Sequence, residues 1–293
     1  MRGKSMSNLN RRAFVKSAVA TGFLGSIGNP LSALAAAKNI DVMGKISDIS
    51  VQLYTVRRLM RENVEKTIAD VAKIGYSQVE FAGYYDRTAK QIKDMLDANG
   101  LKSPSMHVDL DLIQGDKLKK MIEYSNIVGH KYIIVPFLKP EERATIDQYK
   151  RHTENFNKIG EECKKAGLKF AYHNHEFEFA AIDGVVPMDI MLNESDADLF
   201  NIEIDLYWAI DGGVKPVEYF KRYPGRFPLC HVKDMTKGGQ MVDVGHGDIN
   251  FAEIFAHSEL AGLEYYVVEH DQPESPLESI TNSYDSLAQM KVR

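Results

Sequence analysis

From residue 46 onward, the apolar and polar positions of the chain repeat a pattern of amphipathic helix, glycine and short apolar strand. Apolar runs such as Tyr132–Val135 and Tyr265–Val268 are typical of strands covered on both faces. The windows between them, such as Val64–Ile74, space their apolar residues along one face of a helix. Glycine just past a helix end adopts the left-handed conformation that terminates the helix. The pattern predicts eight strands, at residues 49–55, 76–81, 101–107, 131–136, 168–175, 200–205, 227–232 and 263–269.

The predicted strands start about 25 to 40 residues apart, which is the length that a strand, a crossover helix and the next parallel strand require. Eight such units in about 250 residues predict an α/β fold, a closed (β/α)8 TIM barrel, as a single domain over residues 38–293. The alternative is an open doubly wound sheet. It usually has fewer strands, and the glycine-rich phosphate loop of such sheets does not follow the first strand here.

The first 37 residues predict a targeting segment that is separate from the barrel. A basic stretch, in which residues 10–16 resemble a twin-arginine export signal, precedes an apolar run at 18–27 and small residues at 33–37. The apolar run is interrupted by glycine and is shorter than the roughly 20 residues that span a bilayer. We therefore interpret residues 1–37 as a twin-arginine-type signal peptide and expect a periplasmic or otherwise exported protein.

Composition and charge limit the kinds of molecule that the protein is expected to bind. The chain is 44% hydrophobic and 26% charged, and its two cysteines cannot hold 293 residues together without a large core. The net charge is −5, and residues 1–37 carry five basic residues and no acid, so the remainder carries −10. An acidic body disfavours nucleic acid as a partner. No later segment is apolar and long enough for stable membrane insertion, so we expect a small-molecule substrate; a homo-oligomer is left open.

Side chains that can bind a metal or take part in acid–base chemistry follow almost every predicted strand. Active sites of such barrels lie at the carboxyl ends of the strands. Those ends carry Gln52, Tyr54, Glu80, His107, His173, Asn174, His175, Glu176, Asp205, His231, Lys233, Glu269, His270 and Asp271. Imidazole and carboxylate groups that converge from neighbouring strands suit Zn, Mn, Co or Fe, and carboxylate-rich sites also suit Mg. His246, in a glycine-flanked loop after the seventh strand, is a further candidate.

Several segments resemble the sugar phosphate isomerase/epimerase family, the xylose-isomerase-like group of TIM barrels, and the resemblance covers residues 46–293. The segments are 50–55, 172–179, 204–206, 231–234, 245–251 and 268–269. The resemblance implies a divalent metal held by His173, Asp205, His231 and Glu269. The first of these positions is commonly a glutamate in the family. Because His173 takes that place here, the chain lacks one of the two metal-bound glutamates that face each other across the substrate in the family's epimerase mechanism.

The resemblance also implies roles for the remaining polar residues. The common chemistry is removal of a proton from a carbon next to a carbonyl, with a divalent ion polarising the oxygen. Besides Glu269, the expected catalytic residues are His175 and Glu176 as acid or base and Lys233 as a partner for a developing oxyanion. The expected substrate-binding residues are Gln52, Tyr54, Glu80, His107, Trp208 and His246.

Four functions follow from these expectations. The first is a divalent-metal-dependent isomerase or epimerase of a non-phosphorylated sugar or keto-sugar, because phosphorylated sugars are cytoplasmic and the strand ends hold no dense Arg or Lys cluster. A metal-dependent lyase or hydrolase of 3-keto-glycosides is a near equal. A non-catalytic periplasmic sugar-binding barrel is the alternative from another class. A repair nuclease like endonuclease IV, which shares this barrel, is disfavoured by the acidic body and the export signal.

Overall fold

The protein is described here by a computed structural model that covers residues 46–291. The predicted signal peptide at 1–37 and the predicted start of the domain at residue 38 lie outside the described residues. Both therefore stay predictions.

Eight parallel strands form a closed barrel, as the sequence pattern predicts. Its strands are β1 (Ile49–Gln52), β2 (Gln78–Phe81), β3 (Lys102–His107), β4 (Tyr132–Val135), β5 (Lys169–His173), β6 (Asn201–Asp205), β7 (Leu229–Val232) and β10 (Tyr265–Val268). Each strand pairs with the next, and β10 pairs with both β7 and β1, so the sheet closes without an edge. Closure confirms the TIM barrel and rules out the open doubly wound sheet.

Helices cover the outside of the barrel. They are α1 (Arg57–Glu62), α2 (Val64–Ile74), α3 (Ala89–Ala98), α4 (Asp116–Val128), α5 (Ile146–Lys165), α6 (Pro187–Asn193), α7 (Leu206–Asp211), α8 (Pro216–Arg222), α9 (Phe251–Phe255), α10 (Ser258–Ala261) and α11 (Pro276–Gln289). Thr88 and Thr145 begin α3 and α5 with reciprocal capping boxes, in which the glutamine three residues later bonds back to the cap. Within residues 46–291, no helix has the length and apolar character needed to cross a membrane.

The interior of the barrel changes from apolar to polar toward the carboxyl ends of its strands. Side chains two residues apart on a strand face the same side. Leu229 and Ala171 therefore face the interior, with His231 and His173 one layer above them. Leu229 and Ala171 belong to a small buried apolar cluster. This apolar layer closes the barrel from below, so the polar groups above it can be reached only from the carboxyl end.

One small sheet follows the seventh barrel strand and was not predicted from the sequence. β8 (Asp234–Met235) pairs antiparallel with β9 (Met241–Val242). The segment after β9 folds back onto Asp234, whose carboxylate accepts hydrogen bonds from the backbone N–H groups of Gly245, Gly247 and Ile249. A side chain at Gly247 would place its Cβ 2.2 Å from Oδ1 of Asp234, so only glycine fits there.

Candidate metal centre and active-site pocket

The four predicted metal ligands come together at the carboxyl ends of consecutive strands. His173 ends β5, Asp205 ends β6, His231 lies on β7 and Glu269 directly follows β10. One ligand atom from each residue lies within 4.8 Å of the others, and all four side chains are buried. The register of β6 against β7 places Asp205 opposite His231. Barrel closure therefore assembles a set of two imidazole and two carboxylate donors.

The orientation of His173 and Asp205 fits a divalent cation. Nδ1 of His173 lies 3.2 Å from the carbonyl oxygen of Pro136, which only accepts, so Nδ1 carries the proton. The lone pair on Nε2 then faces Oδ2 of Asp205, 3.3 Å away. Oδ1 of Asp205 accepts a hydrogen bond from the backbone N–H of Trp208 at the start of α7. Such secondary hydrogen bonds orient metal ligands in proteins, and mixed imidazole and carboxylate donors favour Zn, Mn or Co over Mg.

Lys233 contacts the same carboxylate oxygens. Its Nζ lies 2.9 Å from Oδ2 of Asp205, 2.8 Å from Oε2 of Glu269 and 2.9 Å from Oδ1 of Asp271, and the side chain is fully buried. Burial would lower the pKa of Lys233, but the three carboxylates raise it well above its usual value. Burial would likewise raise the pKa of Glu269, yet the charges of Lys233 and His231 hold it well below its usual range. The ammonium keeps the carboxylates of Asp205 and Glu269 ionised.

His231 lies between two groups of carboxylates. Its Nδ1 is 2.8 Å from Oε2 of Glu269, and its Nε2 is 2.8 Å from Oε1 of Glu80. Glu80, His107 and Glu203 form a deeper group with Nε2 of His231, which we call the inner cluster. Burial would raise the pKa of Glu80, but His107 and His231 lower it well below its usual range. Burial would lower the pKa of His107, but Glu80 and Glu203 raise it to about 9.

A pocket of about 390 Å³ opens directly above the metal-ligand set. His173, Lys233 and Glu269 form part of its lining, so the predicted cation site is accessible to a small molecule. Tyr54 and His107, both predicted substrate-binding residues, also line it. This volume lies within the range typical of small-molecule sites.

His175 projects into the pocket from an aromatic wall. Its ring stacks on Phe177 with a centroid distance of 5.3 Å, meets Phe137 edge-on at 5.3 Å and lies 5.4 Å from Trp208. Burial, together with the positive charge of Lys233, lowers the pKa of His175 to about 2. Its buried Nδ1 atom has no hydrogen-bond partner among the described residues. The imidazole is therefore neutral, and it lines the pocket with one buried nitrogen unpaired.

The two glutamates that follow His175 differ in position. Glu176 begins a short 3₁₀ turn, is half-buried and is not among the residues that line the pocket, so the structure gives no support to its predicted acid or base role. Glu178 is fully buried and accepts hydrogen bonds from the Tyr172 hydroxyl at 2.6 Å and the His175 backbone N–H at 2.8 Å. Burial raises the pKa of Glu178 to about 8, although both hydrogen bonds oppose the shift. Glu178 positions the backbone of His175.

Two predicted substrate-binding residues lie below the pocket instead of lining it. Gln52 and Glu80 are both 0% exposed, and Nε2 of Gln52 donates to Oε1 of Glu80 at 2.7 Å. Gln52 on β1 and Glu80 on β2 point into the barrel beneath the residues that line the pocket. They therefore support the site from below. Trp208 stands beside the pocket, with the Nζ of Lys233 5.5 Å from its ring centroid. Its predicted contact with a sugar face stays a prediction.

The structure places His246 away from the pocket. Its side chain is exposed and is not among the pocket-lining residues. The carboxylate of Asp234 holds the backbone of residues 245–249. The flanking glycines mark close packing, of Gly247 against Asp234 and of Gly245 against Ser286.

Sequence reasoning missed two residues of the site. Glu203 stands in the middle of β6, two residues before Asp205, and the period of a strand places both on the interior face. This two-residue spacing could have identified Glu203 from the sequence. Asp271 lines the pocket beside Lys233, and burial raises its pKa although Lys233 opposes the shift. Its place after the eighth strand end was noted in the sequence, but no role was assigned to it.

Comparisons with known proteins agree with this architecture. The curated inosose dehydratase of Geobacillus kaustophilus is 22% identical over 250 residues, which cover 71% of this chain and 80% of that protein. A crystal structure of a sugar phosphate isomerase/epimerase from Parabacteroides distasonis is 28% identical, covers 85% of this chain and 96% of that one, and superposes with a TM-score of 0.72. The zinc-containing IOLI protein is 15% identical over 82% of this chain and 96% of that one, with a TM-score of 0.64, which shows the fold alone.

The family model described as a xylose isomerase-like TIM barrel matches residues 68–289, which is most of the chain and includes seven of the eight barrel strands. The matched region contains every predicted metal ligand. The chain belongs to the xylose isomerase-like TIM barrel family and is an enzyme of that family.

Proposed function

We propose that the protein is a divalent-metal-dependent enzyme that removes a proton from the carbon next to a carbonyl of a non-phosphorylated sugar or keto-sugar, and that it acts as a lyase. The observation that carries the proposal is the set of four buried donors at the floor of the pocket, His173, Asp205, His231 and Glu269, with Lys233 beside them. These four residues would hold the cation, which polarises a substrate oxygen when bound.

The side chains of the pocket supply the rest of the chemistry. Lys233 presents a desolvated ammonium where negative charge develops on the substrate oxygen, and such a preorganised charge costs no reorganisation during the reaction. His175 is neutral in the free enzyme, and we assign it the proton-accepting role because it lines the pocket above the ligand set. Asp271 lines the same pocket and has a raised pKa, so it is suited to hold and deliver a proton.

Two observations favour elimination over epimerisation. His173 occupies the position of one of the two family glutamates, so two metal-bound glutamates do not face each other here. Elimination needs one group to remove the proton and another to protonate the leaving oxygen, and His175 and Asp271 provide two different groups. Relatives named inosose dehydratase, among them one from Clostridium perfringens at 24% identity, support a lyase reaction on a keto-sugar. Sugar isomerase or epimerase chemistry is the second candidate, supported by the Parabacteroides distasonis structure.

The pocket lining supports a non-phosphorylated substrate. Among the described residues, Lys233 is the only lysine or arginine that lines the pocket, and three carboxylates already bind it. A phosphate group normally needs more positive charge than this. Asp109, Glu269 and Asp271 in the lining add negative charge, which also disfavours a nucleic-acid substrate.

The experiment measures metal content, solvent deuterium exchange and products on free and 3-keto sugars, with Mn²⁺ and with chelator. We expect Asp205→Ala to lower the metal content by one ion per chain and to abolish exchange, while circular dichroism shows a folded barrel. A product that has lost water or a glycosidic substituent supports the lyase. A product of unchanged mass indicates the isomerase, and tight sugar binding with no exchange indicates a binding protein. Unchanged metal content in Asp205→Ala would contradict the ligand assignment.

A further inference from the structure

The inner cluster combines four ligand atoms in a compact arrangement. Nε2 of His107 is 2.6 Å from Oε2 of Glu203 and 3.1 Å from Oε1 of Glu80. Nε2 of His231 is 2.8 Å from the same oxygen of Glu80 and 3.3 Å from that of Glu203. Each imidazole nitrogen thus faces both carboxylate oxygens, and each oxygen faces both nitrogens.

Hydrogen bonding alone does not account for this arrangement. A ring N–H points at one acceptor, so the two imidazoles supply two N–H bonds for four close contacts. A tetrahedral ion with ligand bonds of about 2.0–2.1 Å holds its ligand atoms about 3.3 Å apart. One of the four observed contacts, at 3.3 Å, matches such an edge, and the other three, at 2.6, 2.8 and 3.1 Å, are shorter.

Burial and unpaired atoms point to a missing ligand. Glu80 and Glu203 are both 0% exposed, and Oε2 of Glu80 and Oε1 of Glu203 have no hydrogen-bond partner among the described residues. The buried hydroxyl of Ser105, which pairs with Glu80 in the register of β2 and β3, also has none. Buried polar atoms are almost always paired, and leaving one unpaired costs roughly 1–3 kcal/mol. A divalent ion would neutralise the charge of both carboxylates.

We propose that Glu80, His107, Glu203 and Nε2 of His231 bind a second divalent cation, one layer below the cation of the proposed function. Two imidazole and two carboxylate donors select Zn²⁺, Mn²⁺ or Co²⁺ over Mg²⁺ and Ca²⁺. His107 also lines the pocket, so the inner site has a route for entry of the ion. Because Gln52 donates to Oε1 of Glu80 from the outside, the ligand is held in place by a second residue.

The imidazole of His231 separates the two sites. Nδ1 faces Glu269 in the outer set and Nε2 faces Glu80 in the inner cluster. A neutral imidazole has one lone pair, so binding of two ions at once requires His231 to lose both ring protons and to bridge them. The inner ion then fixes the orientation of the ring that the outer ion binds.

Metal content of single variants tests the inner site apart from the outer one. The full chain is loaded with Zn²⁺ or Mn²⁺ alone, desalted and assayed for ions per chain. We expect two ions in the wild type and one in both Glu203→Gln and Asp205→Ala. Glu80→Gln is a second inner variant, and circular dichroism checks folding. Glu178→Gln, an equally buried carboxylate near the same rim, is the matched control and should keep both ions.

The result overturns the proposal if Glu203→Gln and Glu80→Gln, both folded, hold as many ions as the wild type. One ion that Asp205→Ala loses and Glu203→Gln keeps also overturns it, while the proposed function stands. One ion that Glu203→Gln loses and Asp205→Ala keeps supports the inner site and contradicts the outer assignment. An anomalous-scattering peak next to Nε2 of His107 in Zn²⁺-loaded crystals gives the direct confirmation.

Discussion

Nζ of Lys233 lies 2.8 Å from Oε2 of Glu269, the oxygen that also faces Nδ1 of His231. The ammonium of Lys233 thus holds a carboxylate oxygen that the proposed divalent cation would also use. In the free protein the ammonium supplies the positive charge that the buried carboxylates need. Charge at this position therefore links the stability of the barrel to metal binding, and the link can be measured.

Lys233→Met should destabilise the protein in chelator and make it depend on the cation. Removing one partner of a buried ion pair costs about 3–5 kcal/mol, because the remaining carboxylates are left without a counter-charge. A bound divalent ion replaces that charge, so the rise in Tm on adding Mn²⁺ should be larger in the variant than in the wild type. Thermal unfolding with chelator and with Mn²⁺ measures both values.

Lys221→Met is the matched control for this prediction. Lys221 pairs with Glu218 at 3.0 Å, but both side chains are more than half exposed. Exposed pairs are screened by water and contribute little, so this variant should unfold like the wild type and respond equally to Mn²⁺. Equal Mn²⁺ responses of Lys233→Met and the wild type would show that the ion and the ammonium do not share ligands.

Glu178 should make stability fall as the pH rises. Its pKa is raised from 4.5 to about 8 in the folded protein, so between these values the folded state binds more protons than the unfolded state. The stabilisation is fully present below about pH 4.5 and is lost as the pH approaches 8. In Glu178→Gln the amide can donate to Tyr172 and accept from the His175 N–H, which mimics the protonated acid. The free energy of unfolding of the variant should change less between pH 5 and 8.

Glu176→Gln provides the comparison, since Glu176 lies on the same 3₁₀ turn but is half-buried. Chemical denaturation in metal-free buffer at several pH values should give this variant the slope of the wild type. If Glu178→Gln also keeps the wild-type slope, the raised pKa of Glu178 is not the source of the pH dependence.

His175→Gln should reduce turnover and leave metal binding intact. A general acid or base contributes about 10²- to 10⁴-fold to the rate, so kcat should fall by that amount. The side chain is not in the donor set, so the number of ions per chain should be unchanged. Because the pKa of His175 is about 2, this residue does not change its charge above pH 4. Above that pH, the rate of the variant should therefore fall toward low pH in the same way as the rate of the wild type. Loss of an ion or full activity would each contradict this role.

Asp271→Asn should remove a proton-transfer group without removing a metal ligand. The raised pKa of Asp271 and its place in the pocket lining predict that the variant changes the shape of the pH–rate profile of kcat/KM. His270→Asn is a neighbouring control, because His270 bonds to Asp243 and Ser279 and is not among the pocket-lining residues. It should leave the profile unchanged. If the profile of Asp271→Asn is also unchanged, a residue other than Asp271 transfers the proton.

The predicted export of the protein through its amino-terminal segment can be tested separately. We expect the double variant Arg11→Lys, Arg12→Lys to accumulate unprocessed inside the cell, because the twin-arginine pair identifies the signal. Cell fractionation and the amino-terminal sequence of the mature protein measure the outcome. Arg2→Lys is the control and should be exported normally. Normal export of the double variant would remove the argument from compartment for a non-phosphorylated substrate.

The sequence by itself determined the eight strands, their order and the strand ends that carry the site. Parallel strands buried on both faces need continuous apolar runs, as in Tyr132–Val135, and a glycine marks where six of the eight strands begin. The order of elements then favours a closed barrel over an open doubly wound sheet, and the observed closure of the sheet confirms it. Four donors at consecutive strand ends follow from that order, because the carboxyl ends meet at one face.

Only the tertiary structure decided how deep each polar side chain lies in the barrel and which side chains it meets. Glu203 appears in the sequence as one polar residue between Ile202 and Ile204, a pattern that a half-exposed strand shows as well. Barrel closure turns that face inward and brings Glu203 against His107 from β3, 96 residues earlier in the chain. Local periodicity tells which residues share a face. It does not tell which side chains meet across a closed interior, because those contacts depend on the packing of every strand at once.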